Sequence, residues 1–317
     1  VSAFDRLLGQ DYARKVLASS LKVGRSASAY LFFGPSGCGK KTAAGALAQA
    51  LFCLEAPGVG CGTCAACRRV ESRKHPDYFV FQPAGQSFKV EQVRDLLREA
   101  SLRPYEAPRR VFVIDKAELL TGGAGNSLLK VLEEPNPDLV FVLVTTARVS
   151  LLPTIASRCQ ALRFGPLPEP VLVDILMKEK GMTQIQAKGL AGLAGGSVRV
   201  AKRLSGEDGK EMQEMAEGFL EASALKSKVK QLNWAHLAAL DKRRLEETLE
   251  MITALLRELW MERNGLGRLR LLPELPKHGG GLSPEHLQEL MLKVAGAQAQ
   301  LKRNANLALV LENLALT

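Results

Sequence analysis

Gly34-Pro35-Ser36-Gly37-Cys38-Gly39-Lys40-Lys41-Thr42 stands between a short apolar run, Ala29 to Phe33, and an Ala- and Leu-rich stretch, Lys40 to Phe52. This is the layout of a phosphate-binding loop between a strand and a helix. Gly34, Gly37 and Gly39 let backbone N–H groups turn inward around phosphate oxygens. Lys40 reaches the outer phosphates, and the helix N-terminus adds a favourable dipole. One position departs from the usual G-x-x-x-x-G-K-[ST] pattern: Lys41 follows Lys40, and the hydroxyl comes one place later, at Thr42. That hydroxyl ordinarily ligates magnesium. The loop therefore suits ATP or ADP, with Mg2+-assisted hydrolysis impaired; a relic loop that holds no nucleotide is the alternative. Val111-Phe112-Val113-Ile114-Asp115 is an apolar strand ending in an acid, the arrangement that holds magnesium in many phosphoryl-transfer enzymes. The residue after it is Lys116, where such enzymes often place a glutamate that polarises water. A protonated lysine is no base. Without the glycine loop, Asp115 reads as a helix-capping acid.

Cys53-x7-Cys61-x2-Cys64-x2-Cys67 is a four-thiolate set within fifteen residues. Two C-x2-C spacings suit adjacent corners of a tetrahedron, so structural Zn2+ is expected, with no position open for catalytic water. An iron–sulfur cluster and a redox switch are the other readings. Cys38 and Cys159 lie outside the set as ordinary small residues; His75, eight residues after the last cysteine, is either a further ligand or, the favoured reading, a turn residue. Arg68, Arg69, Arg73 and Lys74 follow the cysteines; they face either nucleic-acid phosphate or solvent and protein neighbours. Arg158, in Ser157-Arg158-Cys159, is either a solvated surface arginine or one that projects into a neighbouring chain's nucleotide site. Arg199 contacts the chain's own nucleotide or caps a helix.

The elements that must position these residues alternate over the first 165 positions. Strands are expected at Ala29–Phe33, Tyr78–Gln82, Val111–Ile114, Leu139–Val144 and Leu162–Phe164. Helices are expected at Lys40–Phe52, Val90–Leu102 and Asn126–Leu132. Such alternation predicts an α/β fold, a parallel sheet with helices on both faces. Gly165-Pro166-Leu167-Pro168 marks a boundary. Residues 166–208 read as a small helical domain whose last helix is capped at Gly195-Gly196-Ser197. Residues 209–317 read as an all-α domain, with a loop at Gly279-Gly280-Gly281 and a helix opening at Ser283-Pro284-Glu285.

At 317 residues with 46% apolar side chains the chain builds real cores without disulfides. Aromatics are only 5%, too few for a surface built on base stacking. The net charge of +10 is uneven: residues 1–165 carry 22 basic against 14 acidic side chains, and residues 209–317 carry 15 against 14. No run approaches the roughly 18 apolar residues of a membrane span. The first residues lack a secretory pattern, so a cytoplasmic setting with reduced cysteines is expected.

Together these pieces resemble the AAA+ clamp-loader family. The most specific stretches are Asn126-Ser127-Leu128-Leu129-Lys130-Val131-Leu132-Glu133-Glu134-Pro135, Leu152-Pro153-Thr154-Ile155-Ala156-Ser157-Arg158-Cys159, the cysteine set, and Arg303-Asn304-Ala305-Asn306-Leu307-Ala308-Leu309. The resemblance implies an AAA+ domain over 1–165 with a zinc insertion at 53–67, a lid over 166–208 and an oligomerising collar over 209–317. It implies a place in a hetero-pentameric ring with ATPase subunits and a clamp-opening subunit. The sliding clamp and primed DNA are then met through the assembly. Arg158 matches the family's arginine finger, Thr146 the first sensor position and Arg199 the second. Lys41 and Lys116 favour a stator that hydrolyses no ATP and polymerises no DNA by itself. The runner-up is an ATP-hydrolysing motor subunit or another autonomous DNA-dependent ATPase.

Overall fold

The structure, a computed structural model, describes residues 2–24, 26–85, 87–146, 148–240, 242–266, 281–302 and 305–316. Gly279, Gly280, Arg303 and Asn304, part of two motifs read from the sequence, lie outside the described residues. The chain divides into two compact units, Val1–Leu167 and Pro168–Thr317.

Unit one runs α1 (Asp11–Lys22), β1 (Ala29–Phe33), α2 (Lys40–Phe52), α3 (Ala65–Glu71), β2 (Tyr78–Phe81), α4 (Val90–Ala100), β3 (Arg110–Asp115), α5 (Gly122–Glu133), β4 (Leu139–Thr145), α6 (Pro153–Ala156) and β5 (Gln160–Arg163). Among the described residues five strands form one parallel sheet in the order β2-β3-β4-β1-β5. Side chains alternate across a strand, so each apolar run feeds two cores. Tyr30, Phe32, Val111, Val113 and Val142 pack with Leu17 of α1 and with Ala43 and Leu47 of α2. Leu31, Phe112, Ile114, Phe141 and Leu143 pack with Leu96 of α4 and Leu128 of α5.

The register decides what meets at the top of the sheet. Phe33 pairs with Thr145, and Asp115 pairs with Val144. The carboxyl ends of β1, β3 and β4 therefore finish side by side, the usual place for a ligand crevice in an open α/β sheet. β5 occupies Gln160–Arg163 rather than Leu162–Phe164. It lies at the sheet edge, where Leu162 is buried and its neighbours Gln160 and Arg163 are exposed. Its apolar signal is correspondingly thin.

Unit two is helical throughout its described residues. α7 (Glu169–Lys180), α8 (Gln184–Leu193) and α9 (Val198–Leu204) surround Leu172, Leu176, Ala187, Ala191 and Ala201. The Ser197 hydroxyl accepts from the Val200 N–H and caps α9. α10 (Glu207–Ala224), α11 (Lys228–Leu240), α12 (Lys242–Arg263), α13 (Pro284–Lys302) and α14 (Leu307–Ala315) enclose a larger core around Phe219, Trp234, Ile252, Leu287 and Leu311. α13 opens on Pro284, where the missing proline N–H costs nothing.

Candidate functional site

The loop from Gly34 to Gly39 joins β1 to α2. Its glycines hold left-handed backbone: φ is +145° at Gly34, +76° at Gly37 and +98° at Gly39. Gly34 has a second reason to lack a side chain. A Cβ there would lie 2.0 Å from the Phe164 carbonyl oxygen, so the strand-to-loop exit tolerates nothing larger. Gln10, buried and unnoticed in the sequence, clamps the loop from outside. Its amide donates to the carbonyls of Cys38 at 3.0 Å and Gly165 at 2.8 Å. A glutamine in an irregular segment carries no sequence signal of that kind.

Lys40 is 6% exposed, and its ammonium donates to the Gly34 carbonyl at 2.5 Å and to the Pro35 carbonyl. Burial pushes its pKa down, while the nearby Cys38, Glu118 and Asp115 pull it back up. The loop thus folds around a cation, the Lys40 ammonium, held by the loop's own carbonyls. Asp115 ends β3 as expected and is nearly buried. Its Oδ2 accepts from Lys41 Nζ at 2.9 Å and from Gln82 Nε2 at 3.0 Å. The residue standing in place of the magnesium-binding hydroxyl therefore supplies a positive charge to the acid that magnesium would share. Gln82, just past β2, was not singled out from the sequence. Lys116, the residue directly after the acid, is exposed with φ +59°.

Thr146 lies one residue past β4. Its hydroxyl donates to Glu118 Oε1 at 2.7 Å. Arg158 follows α6. Its guanidinium pairs with Glu133 of α5 at 2.6 Å and donates to the Thr154 carbonyl at 2.9 Å. The side chain is 35% exposed, so this is a surface ion pair, worth at most about 1 kcal/mol. Arg199 is exposed in the first turn of α9, in the other unit.

Cys53, Cys61, Cys64 and Cys67 bring their sulfurs within 4.8 Å of one another. The Cys53–Cys64 sulfurs are 3.9 Å apart, close to the edge of about 3.8 Å that four Zn–S bonds of 2.3 Å would give. None of the four forms a disulfide. The peptide folds as a knuckle around them. Cys53 Sγ accepts from the N–H groups of Ala56 and Cys61, and Cys61 Sγ from those of Thr63 and Cys64. Such bonds suit sulfur that carries negative charge. The Thr63 hydroxyl, with the N–H groups of Thr63 and Cys64, holds the Cys61 thiol down at about 6. Burial pushes the Cys64 and Cys67 thiols up. The donor set and its spacing fit a tetrahedral ion.

His75 stands outside the four-cysteine group; its carbonyl accepts from the Tyr78 N–H in a turn, and its ring does more. It is buried beside Phe52, its Nδ1 accepts from the Asp77 N–H, and its Nε2 lies 3.1 Å from Glu106. Arg69 of the basic cluster also pairs with Glu106, at 2.6 Å.

A strand–glycine loop–helix, an acid at the end of a neighbouring strand and a four-cysteine knuckle define the class of molecule: a P-loop α/β protein with a metal-type insertion. The family described as DNA polymerase III, delta subunit, matches residues 9–168, half of the chain, and the chain belongs to that family. It is 42% identical over 170 residues to the DNA polymerase III subunit delta' of Bacillus subtilis, covering 54% of this chain and 52% of that one. It is 38% identical over 192 residues to subunit delta' of Pseudomonas aeruginosa, covering 59% and 58%. The Bacillus subtilis subunit tau is 33% identical over 186 residues, covering 58% of this chain and 33% of its own. The chain thus spans about half the length of the delta' relatives it matches.

Proposed function

We propose that this chain is a delta'-type clamp-loader subunit, a stator of the DNA polymerase III holoenzyme that helps place a sliding clamp on primed DNA. Family membership supports the setting. The Lys41–Asp115 ion pair carries the division of labour, because it fills the metal position of a hydrolytic P-loop with a side chain. The place of the water-polarising glutamate is taken by Lys116, so hydrolysis lacks both magnesium ligation and a base.

Gly34, Gly37, Gly39, Lys40, Lys41 and Thr42 would cradle the phosphates of ATP or ADP, with Asp115 and Thr146 as further nucleotide-binding residues of the same unit; Arg199 is the candidate for the second sensor position. Arg158 would act in trans. It would leave Glu133, a cheap exchange for a surface pair, and meet the phosphoryl group held by the adjacent ATPase subunit. The four cysteines would hold structural Zn2+, which supplies a cross-link between the end of α2 and the start of α3. Residues 166–208 would form the lid, around Leu172, Leu176 and Ala191, and 209–317 the collar, whose apolar cluster also takes in Leu204.

The test is reconstitution. The purified chain is expected to copurify with the ATPase and clamp-opening subunits and, alone, to release no phosphate above a protein-free blank. Magnesium-dependent hydrolysis by the lone chain, lost in Lys40→Ala, would replace this reading with that of a motor subunit.

A further inference from the structure

We infer that this P-loop takes a nucleoside polyphosphate in its metal-free form, with the Lys41 ammonium standing where other P-loops hold Mg2+. The inference rests on the proposed nucleotide-binding reading and deepens it by fixing the charge state of the ligand.

Magnesium in a P-loop is gripped on the protein side by the hydroxyl after the lysine and by the strand-end acid. Here the first is Lys41. The second, Asp115, already has Oδ2 shared between Lys41 at 2.9 Å and Gln82 at 3.0 Å. A divalent ion seated against that oxygen would displace two hydrogen bonds and lie beside a like charge. Thr42 does not stand in for the missing hydroxyl. One residue further along α2 is a rotation of about 100°. Thr42 lines a cavity of about 380 Å³ with Lys41, Gly45, Gln49, Arg73 and Tyr78, and no bond joins its hydroxyl to Asp115 among those seen at that acid.

The positive complement of the cradle survives without the ion. An ammonium has three N–H donors, and Asp115 uses one of Lys41's. The other two are available to outer phosphate oxygens, since the Lys41 side chain is 47% exposed. Lys41 would then bridge acid to phosphate, as the metal does elsewhere. Lys40 and the N-terminus of α2 supply the rest of the charge. Gly39 leaves open space where a side chain would stand.

The test is calorimetric titration of the full chain with ATP, with Mg2+ and with Mg2+ omitted. No chelator is added, so the cysteine centre is left alone. The native chain is expected to bind with the same affinity in both buffers, within about twofold. Lys40→Ala should bind at least about tenfold more weakly in both. Lys41→Ser, which restores a hydroxyl after Lys40 and frees Asp115, should become at least about tenfold tighter with Mg2+ than without. Native affinity that rises about tenfold with Mg2+ would overturn the metal-free site while leaving the nucleotide reading intact. A Lys41→Ser chain still indifferent to Mg2+ would remove Lys41 from the role. Native chain of normal circular dichroism that binds ATP in neither buffer would overturn both readings together.

Discussion

Asp77 shows what one side chain does for the frame around the loop. It is fully buried and accepts from the N–H groups of Tyr105 at 2.8 Å, Glu106 at 2.9 Å and Ala107 at 2.9 Å. Burial alone would raise its pKa; the three backbone bonds outweigh that and hold the carboxyl below its usual value. The group is charged in the folded state where the unfolded chain would begin to take up protons. Its stabilisation is therefore present above the unfolded value of about 3.9 and is lost as pH falls through the lower folded value. Thermal melts are expected to drop more steeply below about pH 4 for the native chain than for Asp77→Asn. At neutral pH Asp77→Ala should cost about 3 kcal/mol, from three N–H groups left unpaired. A second residue-scale prediction concerns Gly34. Gly34→Ala places a methyl against the Phe164 carbonyl, so about 2 kcal/mol of stability should go, and phosphate-loop geometry with it. Denaturant melts and ATP titration measure the two losses.

At the scale of elements, the cysteine knuckle ties α2 to α3. Gln49 of α2 adds a further tie, donating to the Cys67 carbonyl at 3.0 Å. Gly60, at φ +75°, lets the loop pass 2.9 Å from Ala3, measured from the position its Cβ would take. Cys64→Ser should lose stoichiometric zinc by metal analysis and lower the melting temperature by more than about 5 °C. An unchanged melting temperature with no zinc bound to the native chain would leave the knuckle without a stapling role. Much of this scale was legible in the sequence. β1, β3 and β4 announce themselves as continuous apolar runs because both their faces are buried, and the cysteine spacing announces the knuckle. α1 did not, since only Ala13 and Leu17 are buried along its length and its N-cap makes no side-chain bond. β5 starts two residues and ends one residue before the expected strand, because an edge strand alternates weakly. The contacts that define the site were illegible for a different reason. Lys41 and Asp115 are 74 residues apart, and Glu133 and Arg158 are 25 apart. Only the parallel register and the packing of α5 and α6 bring such pairs together.

At the scale of the molecule, the uneven charge acquires a place. The excess of basic residues belongs to 1–165, with the glycine loop, Arg158 and the cluster after the cysteines, while 209–317 is nearly neutral. Near-neutral helices suit packing against similar helices, and a ring of unlike subunits requires such heterologous contacts. Among the described residues no helix is long and apolar enough to cross a membrane. In this reading catalysis belongs to a junction: one chain holds nucleotide and metal, and this chain reaches across with an arginine. The measurement that meets that claim most directly is DNA-stimulated ATP hydrolysis by the reconstituted loader, with native chain and with Arg158→Ala. The substituted chain should assemble normally and lower turnover at the adjacent site by about 10³-fold. An assembled complex whose turnover is indifferent to Arg158→Ala would contradict it.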